Sequence, residues 1–550
     1  MPNPPGDFLE LLHDNWDDFG FETTFHAKCV ADGETLDLAP LRILVKDETT
    51  TADTWRRLVG EGWDGVFPAP GIDYVTVPSD VTFYQQLEAA IGIDRTVEVA
   101  AALRDASYLV HVSEDEEAIA LTKSTGFKDS LQRERGSVKA FIDSWKILRG
   151  EELSVLDMGF RFDNVRGKRS LLELRFQSDS PLPHDINVLI GPNGYGKSSV
   201  LHQMVEDWTA SREFGGQGFV DKPNLSQIVV VSYSPFERFP VDLSPKRVKD
   251  VDAYRYFGFR GRSVTTDGKP GRIRISNDFP RKAAAGSLLD CLADDHKYSA
   301  IRGWSKKLHT VEKVLKTAID FDFAALEMDL GKRAKDLYDP QSAPRAPFSY
   351  LVGDDPKRRY FPVSSSRVAG LDLERLKHAV VTDSGVAFFK DGEPVELSSG
   401  QRLFAYLVVN VVGAIKRNSL ILVDEPELFL HPTLEVQFVG MLKGILKRFN
   451  SKALLATHSV VTVREIPADC VHVFERSEDD VLVRRPPFQT FGGDVQRISS
   501  YVFGDGKIAK PFQNWIETQL EARSASELIA ALGDEVNEEL ILQIRAMDRA

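Results

Sequence analysis

Between Ile186 and Leu201 the chain reads INVLIGPNGYGKSSVL. A short, almost wholly apolar run, a glycine-rich turn and a helix-compatible stretch follow one another without a spare residue. An apolar run of this kind, lacking polar alternation, belongs to a strand buried on both faces, as in a parallel sheet covered by helices. Glycines at 191, 194 and 196 let the turn fold its backbone amides inward, and the helix that follows adds its own free amides and dipole. Such a concave nest suits a phosphate chain. Gly191, Pro192, Asn193, Gly194, Tyr195 and Gly196 would wrap it, with Lys197 reaching the outer oxygens. Ser198 and Ser199 open the helix, and the Ser198 hydroxyl is placed to ligate Mg²⁺. A plain glycine-rich turn is the alternative, and the flanking strand and helix argue against it.

Further runs repeat the strand pattern: QIVVVSYS from Gln227, SLILVDE from Ser419 and KALLATHS from Lys452, each separated by helical stretches. An α/β architecture with a parallel sheet follows. Ahead of it, SVLDMGFRFDNVRGKRSLLELRF alternates like paired strands round a turn at Arg166–Gly167. The expected layout is an N-terminal α+β domain over 1–150, a first part of the α/β unit over 151–240 and a helical insertion over 241–385. The second part spans 386–490, and a helical tail spans 491–550.

Composition narrows the class. The sequence has 550 residues, 42% hydrophobic and 10% aromatic, enough to bury more than one core. No run approaches the roughly 18 uninterrupted apolar residues of a membrane span, and the N-terminus has no basic flank leading into an apolar segment. Cys29, Cys291 and Cys470 form no pair motif, which fits a reducing compartment, and cytoplasm is the expectation. The net charge is −14, but residues 1–150 alone hold 27 acidic and 14 basic side chains. The rest of the chain is therefore close to neutral and leaves room for a basic surface.

Chemistry gathers at the strand ends. In SLILVDEPELFLHP, Asp424 and Glu425 emerge where an open α/β sheet binds ligands. Asp424 is suited to a metal shell and Glu425 to polarising a water. ATHS puts His458 at another strand end, while His431 stands evenly between capping and chemistry. VELSSGQRLFAYLV places Ser398, Ser399, Gly400 and Gln401 before apolar residues at helical spacing (Leu403, Phe404, Leu407, Val408, Val411, Val412, Ile415). That is a helix N-terminus waiting for an anion.

In this order the motifs resemble the ABC-type ATPase head: GPNGYGKSS as Walker A, LSSGQ as signature, LILVDEPE as Walker B and ATHS as histidine switch. The resemblance covers about 151–490. It implies ATP and Mg²⁺ as cofactors, Glu425 and His458 as catalytic residues, and Ser198 and Asp424 on the metal. It also implies a homodimer or higher homo-oligomer, in which Ser398, Ser399, Gly400 and Gln401 of one copy close over ATP held at Lys197 of another. Two departures stand out. Ser399 replaces the usual glycine, and no glutamine loop is evident near Ser234, Phe236 and Glu237.

The DEPELFLHP…THS style resembles the soluble SMC/RecF/OLD-like, AAA-family branch, including Septu-type antiphage ATPases. OLD-like members carry a nuclease after the histidine switch, and the stretch after His458 shows no compact acidic cluster. A separate effector, such as a nuclease, is therefore the expected partner. DNA repair and a slow-turnover scaffold locked by ATP are the alternatives.

Finally, residues 246–282 interleave Lys246, Arg247, Lys249, Arg255, Arg260, Arg262, Lys269, Arg272, Arg274, Arg281 and Lys282 with Tyr254, Tyr256, Phe257 and Phe259. Cations for phosphates and rings for bases would suit nucleic acid. A solvated face over core aromatics is the plainer alternative.

Overall fold

A computed structural model of the chain describes residues 6–14, 20–151, 153, 155, 157–209, 218–221, 223–242, 253–264, 270–298, 301, 306–329, 337, 350–351, 359–363, 371–477, 480–504 and 511–548. It divides into two units, 1–492 and 493–550.

At the centre of the first unit lies a seven-stranded sheet. Its order is Tyr254–Gly258, Gln227–Ser232, Ser419–Asp424, Lys452–Thr457, Ile186–Ile190, Val471–Ser477 and Asp480–Arg484. All neighbours are parallel except the last pair. Every residue of Ile186–Ile190, Gln227–Ser232 and Ser419–Asp424 is buried, which explains their lack of alternation. This order brings the carboxyl ends of Ile186–Ile190, Ser419–Asp424 and Lys452–Thr457 to one edge. Helix Lys197–Thr209 leaves from that edge and buries Val200, Leu201, Met204 and Trp208.

Met158–Asp163 and Arg169–Leu174 pair antiparallel through the turn containing Gly167. The 241–385 stretch carries helices Asp278–Lys297, Lys307–Leu315 and Leu373–Ala379, together with strands. Tyr254–Gly258 is the edge strand of the main sheet, and Arg260–Val264 pairs with Pro270–Ile275 as a hairpin. Phe323–Met328 sits inside a second five-stranded antiparallel sheet. These strands are short, and their sheet is cored by Ala325, Tyr360 and Phe389.

Residues 6–151 build an antiparallel sheet of five strands under six α-helices, cored by Tyr74, Phe83, Tyr84 and Phe127. Helix Arg135–Leu148 ties it to the main sheet. Lys139 Nζ, buried, donates to Asp143 Oδ2 at 2.8 Å and to the Asn224 carbonyl at 3.1 Å, three residues before strand Gln227–Ser232. In the second unit, helices Pro511–Leu520, Ala525–Leu532 and Glu538–Met547 share a small core of Ile516, Ala525, Leu528 and Ile544. Among the described residues, no helix is long and apolar enough to cross a membrane. All three cysteines are free and buried.

Candidate functional site

The turn after Ile186–Ile190 has the geometry its glycines allow. Gly191 holds φ at +151°, and a Cβ there would lie 2.6 Å from the Phe474 carbonyl oxygen. Only glycine lets strand and turn approach this closely. Gly194 and Gly196 are also at positive φ. From the first turn of the helix, Lys197 Nζ donates to the carbonyls of Gly191 at 2.9 Å and Pro192 at 3.1 Å, and meets His458 Nε2 at 3.0 Å. Burial pulls the Lys197 ammonium down to about 8, against the pull of the Glu425, Glu427 and Asp424 carboxylates. His458 is lowered to about 4, by burial first and by the Lys197 charge second. It is neutral near pH 7, so Nε2 accepts from the ammonium.

Asp424 ends its strand with its side chain in the site. The Ser198 hydroxyl donates to Asp424 Oδ1 at 2.7 Å, and Ser232 Oγ lies 3.5 Å from Oδ2. Burial raises the Asp424 carboxyl to about 7; the Ser198 bond opposes this, and the Glu425, Glu427 and Glu237 charges add to it. A buried carboxylate against a hydroxyl at the mouth of a phosphate cradle is an all-oxygen donor set, and it fits Mg²⁺ shared with phosphate oxygens. A bound dication would also restore the Asp424 charge. Glu425 adopts a left-handed conformation, φ 50° and ψ 55°, in which its amide bonds the Ala456 carbonyl at 2.8 Å. Its Oε1 stands 3.8 Å from His458 Nε2. A non-glycine residue held there is strained, as at many reactive positions.

The structure thus brings Lys197, Ser198, Asp424, Glu425 and His458 together. It does not bring Ser398, Ser399, Gly400 and Gln401 to them: no hydrogen bond or ion pair joins these described residues to the turn. They form their own capping box, Gln401 N to Ser398 Oγ at 3.3 Å and Ser398 N to Gln401 Oε1 at 3.1 Å, while Gln401 Nε2 reaches the Ala318 carbonyl. His431 caps helix Pro432–Arg448, its Nδ1 accepting from the Thr433 amide at 3.4 Å, which is a structural role.

Of the loop residues, Phe236 is 88% exposed, whereas Glu237 is buried and accepts from the Phe239 amide and the Tyr256 hydroxyl. Sequence reasoning missed Ser232, Glu427 and Glu435. Ser232 was legible only as a strand end; its place beside Asp424 comes from strand register, and the two glutamates' places from their contacts.

In the basic stretch, Lys246, Arg247, Lys249 and Lys269 lie outside the described residues. Tyr254 and Phe259 are buried, so these rings serve the core. Arg260 bonds Glu237 and the Phe239 carbonyl, Arg262 pairs with Asp242, Arg281 with Asp278 and Lys282 with Asp383. The hairpin strand Pro270–Ile275 keeps Arg272, Arg274 and the exposed Ile273 and Ile275 on the surface.

A family model described as "AAA domain, putative AbiEii toxin, Type IV TA system" matches residues 298–464, a span that holds Ser398–Gln401, Asp424, Glu425 and His458. Protein ea59 of Escherichia phage lambda is 23% identical over 373 residues, 65% of this chain and 62% of that protein. The chain thus spans less than two thirds of that relative's length. Two solved structures align at a TM-score of 0.27 each. The SMC head domain from Thermotoga maritima has 12% identity over 61% of this chain and 100% of that one. The ADP conformation of an ATP-binding cassette of an ABC transporter has 11% identity over 64% and 95%. At such scores the fold rests on strand order and site geometry. Strand order and the glycine-rich turn describe a mixed α/β unit with a phosphate-binding cradle, and the AAA model matches the part of the chain that supplies Asp424, Glu425 and His458.

Proposed function

We propose that the chain binds Mg²⁺·ATP at this head, hydrolyses it, and uses dimer closure around ATP to gate a separate effector or nucleic acid. The supporting observation is the convergence of Lys197, Ser198, Asp424, Glu425 and His458 at one sheet edge, with 2.7 Å between Ser198 and Asp424. In this reading the cradle amides and Lys197 hold the phosphates, and Ser198 and Asp424 hold the cation, whose charge offsets that of the phosphates. Glu425 orients and deprotonates the attacking water. Neutral His458 holds the γ-phosphate end in line.

Dimerisation is supported by the exposure of Ser398 and Ser399 at a helix N-terminus that makes no bond to its own chain's cradle. Residues 1–150 and 241–385 then serve as partner-facing parts of a head split between 151–240 and 386–490, and 491–550 is a separate helical tail. A cytoplasmic antiphage role, with a nuclease or comparable effector beside the head, is the setting we favour. The matched family's description names a toxin–antitoxin system, which fits a gated effector.

The test is ATP turnover by the purified chain, with and without duplex DNA, for wild type and Glu425→Gln. Turnover lost in Glu425→Gln supports the assignment. Equal turnover in both overturns it. Strong stimulation by DNA alone would favour repair, and binding without turnover the ATP-locked scaffold.

A further inference from the structure

Two acidic side chains outside the set just described converge on the loop that carries His458. Strand Lys452–Thr457 ends one residue before it, and helix Val460–Arg464 starts only after Ser459 has capped it. In that short gap the His458 amide donates to Glu427 Oε1 at 2.5 Å. The Ser459 hydroxyl donates to Glu435 Oε2 at 2.5 Å and accepts from the Thr462 amide at 3.2 Å. Both carboxylates come from the segment just after Asp424. Glu427 lies in the turn Pro426–Phe429 and Glu435 in the first turn of helix Pro432–Arg448. Neither side chain bonds Lys197, Ser198 or Glu425.

Glu435 is 8% exposed, and the Glu427 carboxyl is largely buried and raised above its ordinary range, by burial first and with the Glu435 charge adding. Desolvating two neighbouring acids is costly, and a neutral acceptor would satisfy the amide at less cost. What carboxylates add is short, strong bonds of fixed direction. His458 needs that direction: its ring must stand 3.0 Å from Lys197 and 3.8 Å from Glu425 at once. The turn that holds Glu427 also presents Leu428, 48% exposed, at the surface.

We infer that Glu427, backed by Glu435, is a positioning residue that fixes the His458 imidazole against Lys197 and ties its place to the exposed turn bearing Leu428. The kinetic consequence rests on the ATPase reading, whereas the geometric one does not.

The experiment uses the full chain as wild type, Glu427→Ala, Glu427→Gln and Ser459→Ala. Histidine Cε1 resonances are followed by NMR as a function of pH, with His458 assigned from His458→Gln, and steady-state ATP turnover is measured alongside. Wild-type His458 should titrate at about 4. In Glu427→Ala the freed loop should let it rise by about one unit or more toward the ordinary value. Ser459→Ala should move it part of the way. Glu427→Gln retains a weaker, neutral acceptor and should shift it by less than half as much as the alanine variant. In turnover, Glu427→Ala should lose about tenfold or more in kcat with KM within about threefold, and Glu427→Gln should recover most of it.

An unshifted His458 in Glu427→Ala overturns the inference, as does a Glu427→Gln shift as large as the alanine one, which would show that the bond to the His458 amide does not place the ring. Should Glu427→Ala fail to fold, an unshifted His458 in Ser459→Ala overturns it equally. A wild type that does not hydrolyse ATP defeats the ATPase reading alone, because the titration still decides the brace.

Discussion

At Lys197 one ammonium satisfies two carbonyls and an imidazole while half surrounded by carboxylates. Removing it takes the lysine charge from the cradle, so Lys197→Ala should abolish ATP binding in an equilibrium assay. Glu425→Gln leaves the cradle whole and removes the base. Its single-turnover rate should fall by an amount equivalent to about 3–4 kcal/mol of barrier, on the scale of deleting a key polar group in an active site. Unchanged rates would remove Glu425 from the chemistry.

Asp105 shows the same logic turned to stability. It is fully buried and caps helix Ala106–His111 through the Tyr108 amide at 2.8 Å, and burial raises it to about 7. A carboxyl raised in the folded state stabilises when protonated. That contribution is complete below the unfolded value near 3.8 and is lost as pH climbs through about 7. Asp105→Asn keeps the cap and cannot ionise. It should match wild type at pH 4 and exceed it at pH 8 by on the order of 2–4 kcal/mol, read from urea midpoints. Equal midpoints at pH 8 would show that the folded Asp105 carboxyl is not raised above its unfolded value.

Helix Arg135–Leu148 is the element that joins the N-terminal sheet to the head. Its Lys139–Asp143 pair has side chains 2% and 1% exposed, with Lys146 Nζ on the other Asp143 oxygen at 2.9 Å. A buried pair of this kind is weak evidence of net stability, but breaking it strands a charge. Asp143→Ala should destabilise by about 3–5 kcal/mol, and the double change Lys139→Met, Asp143→Leu by much less. The comparison is one of urea midpoints followed by tryptophan fluorescence, since Trp145 sits on this helix. A double variant as unstable as the single would mean the pair itself, and not the stranded lysine, carries the joint.

For the whole molecule the test is assembly. Glu425→Gln with ATP should elute at twice the mass of the nucleotide-free protein by light scattering, and Ser398→Arg, which blocks the helix N-terminus, should stay monomeric. Two hairpins in such a dimer would each present Arg272 and Arg274. Changing both to Glu should weaken duplex binding and flatten its salt dependence by roughly one logarithmic unit for each phosphate no longer neutralised. Equal affinity with and without the change would leave the hairpin a solvated face.

The cradle was legible in the chain because its requirements are local: Gly191, Gly196 and Lys197 act within one turn, so spacing alone states the chemistry. The buried strands were legible for a similar reason, since continuous apolar runs such as ILV at 421–423 have one comfortable home. Tertiary structure decided what depends on partners distant in sequence. It placed Ser232 beside Asp424 through strand register, set Glu427 and Glu435 on the His458 loop, and turned Tyr254 and Phe259 from candidate base platforms into core. A side chain's type is written in the sequence. Its neighbours are set by strand order and helix packing, which join residues from 24 to 192 positions apart and leave no periodicity to read.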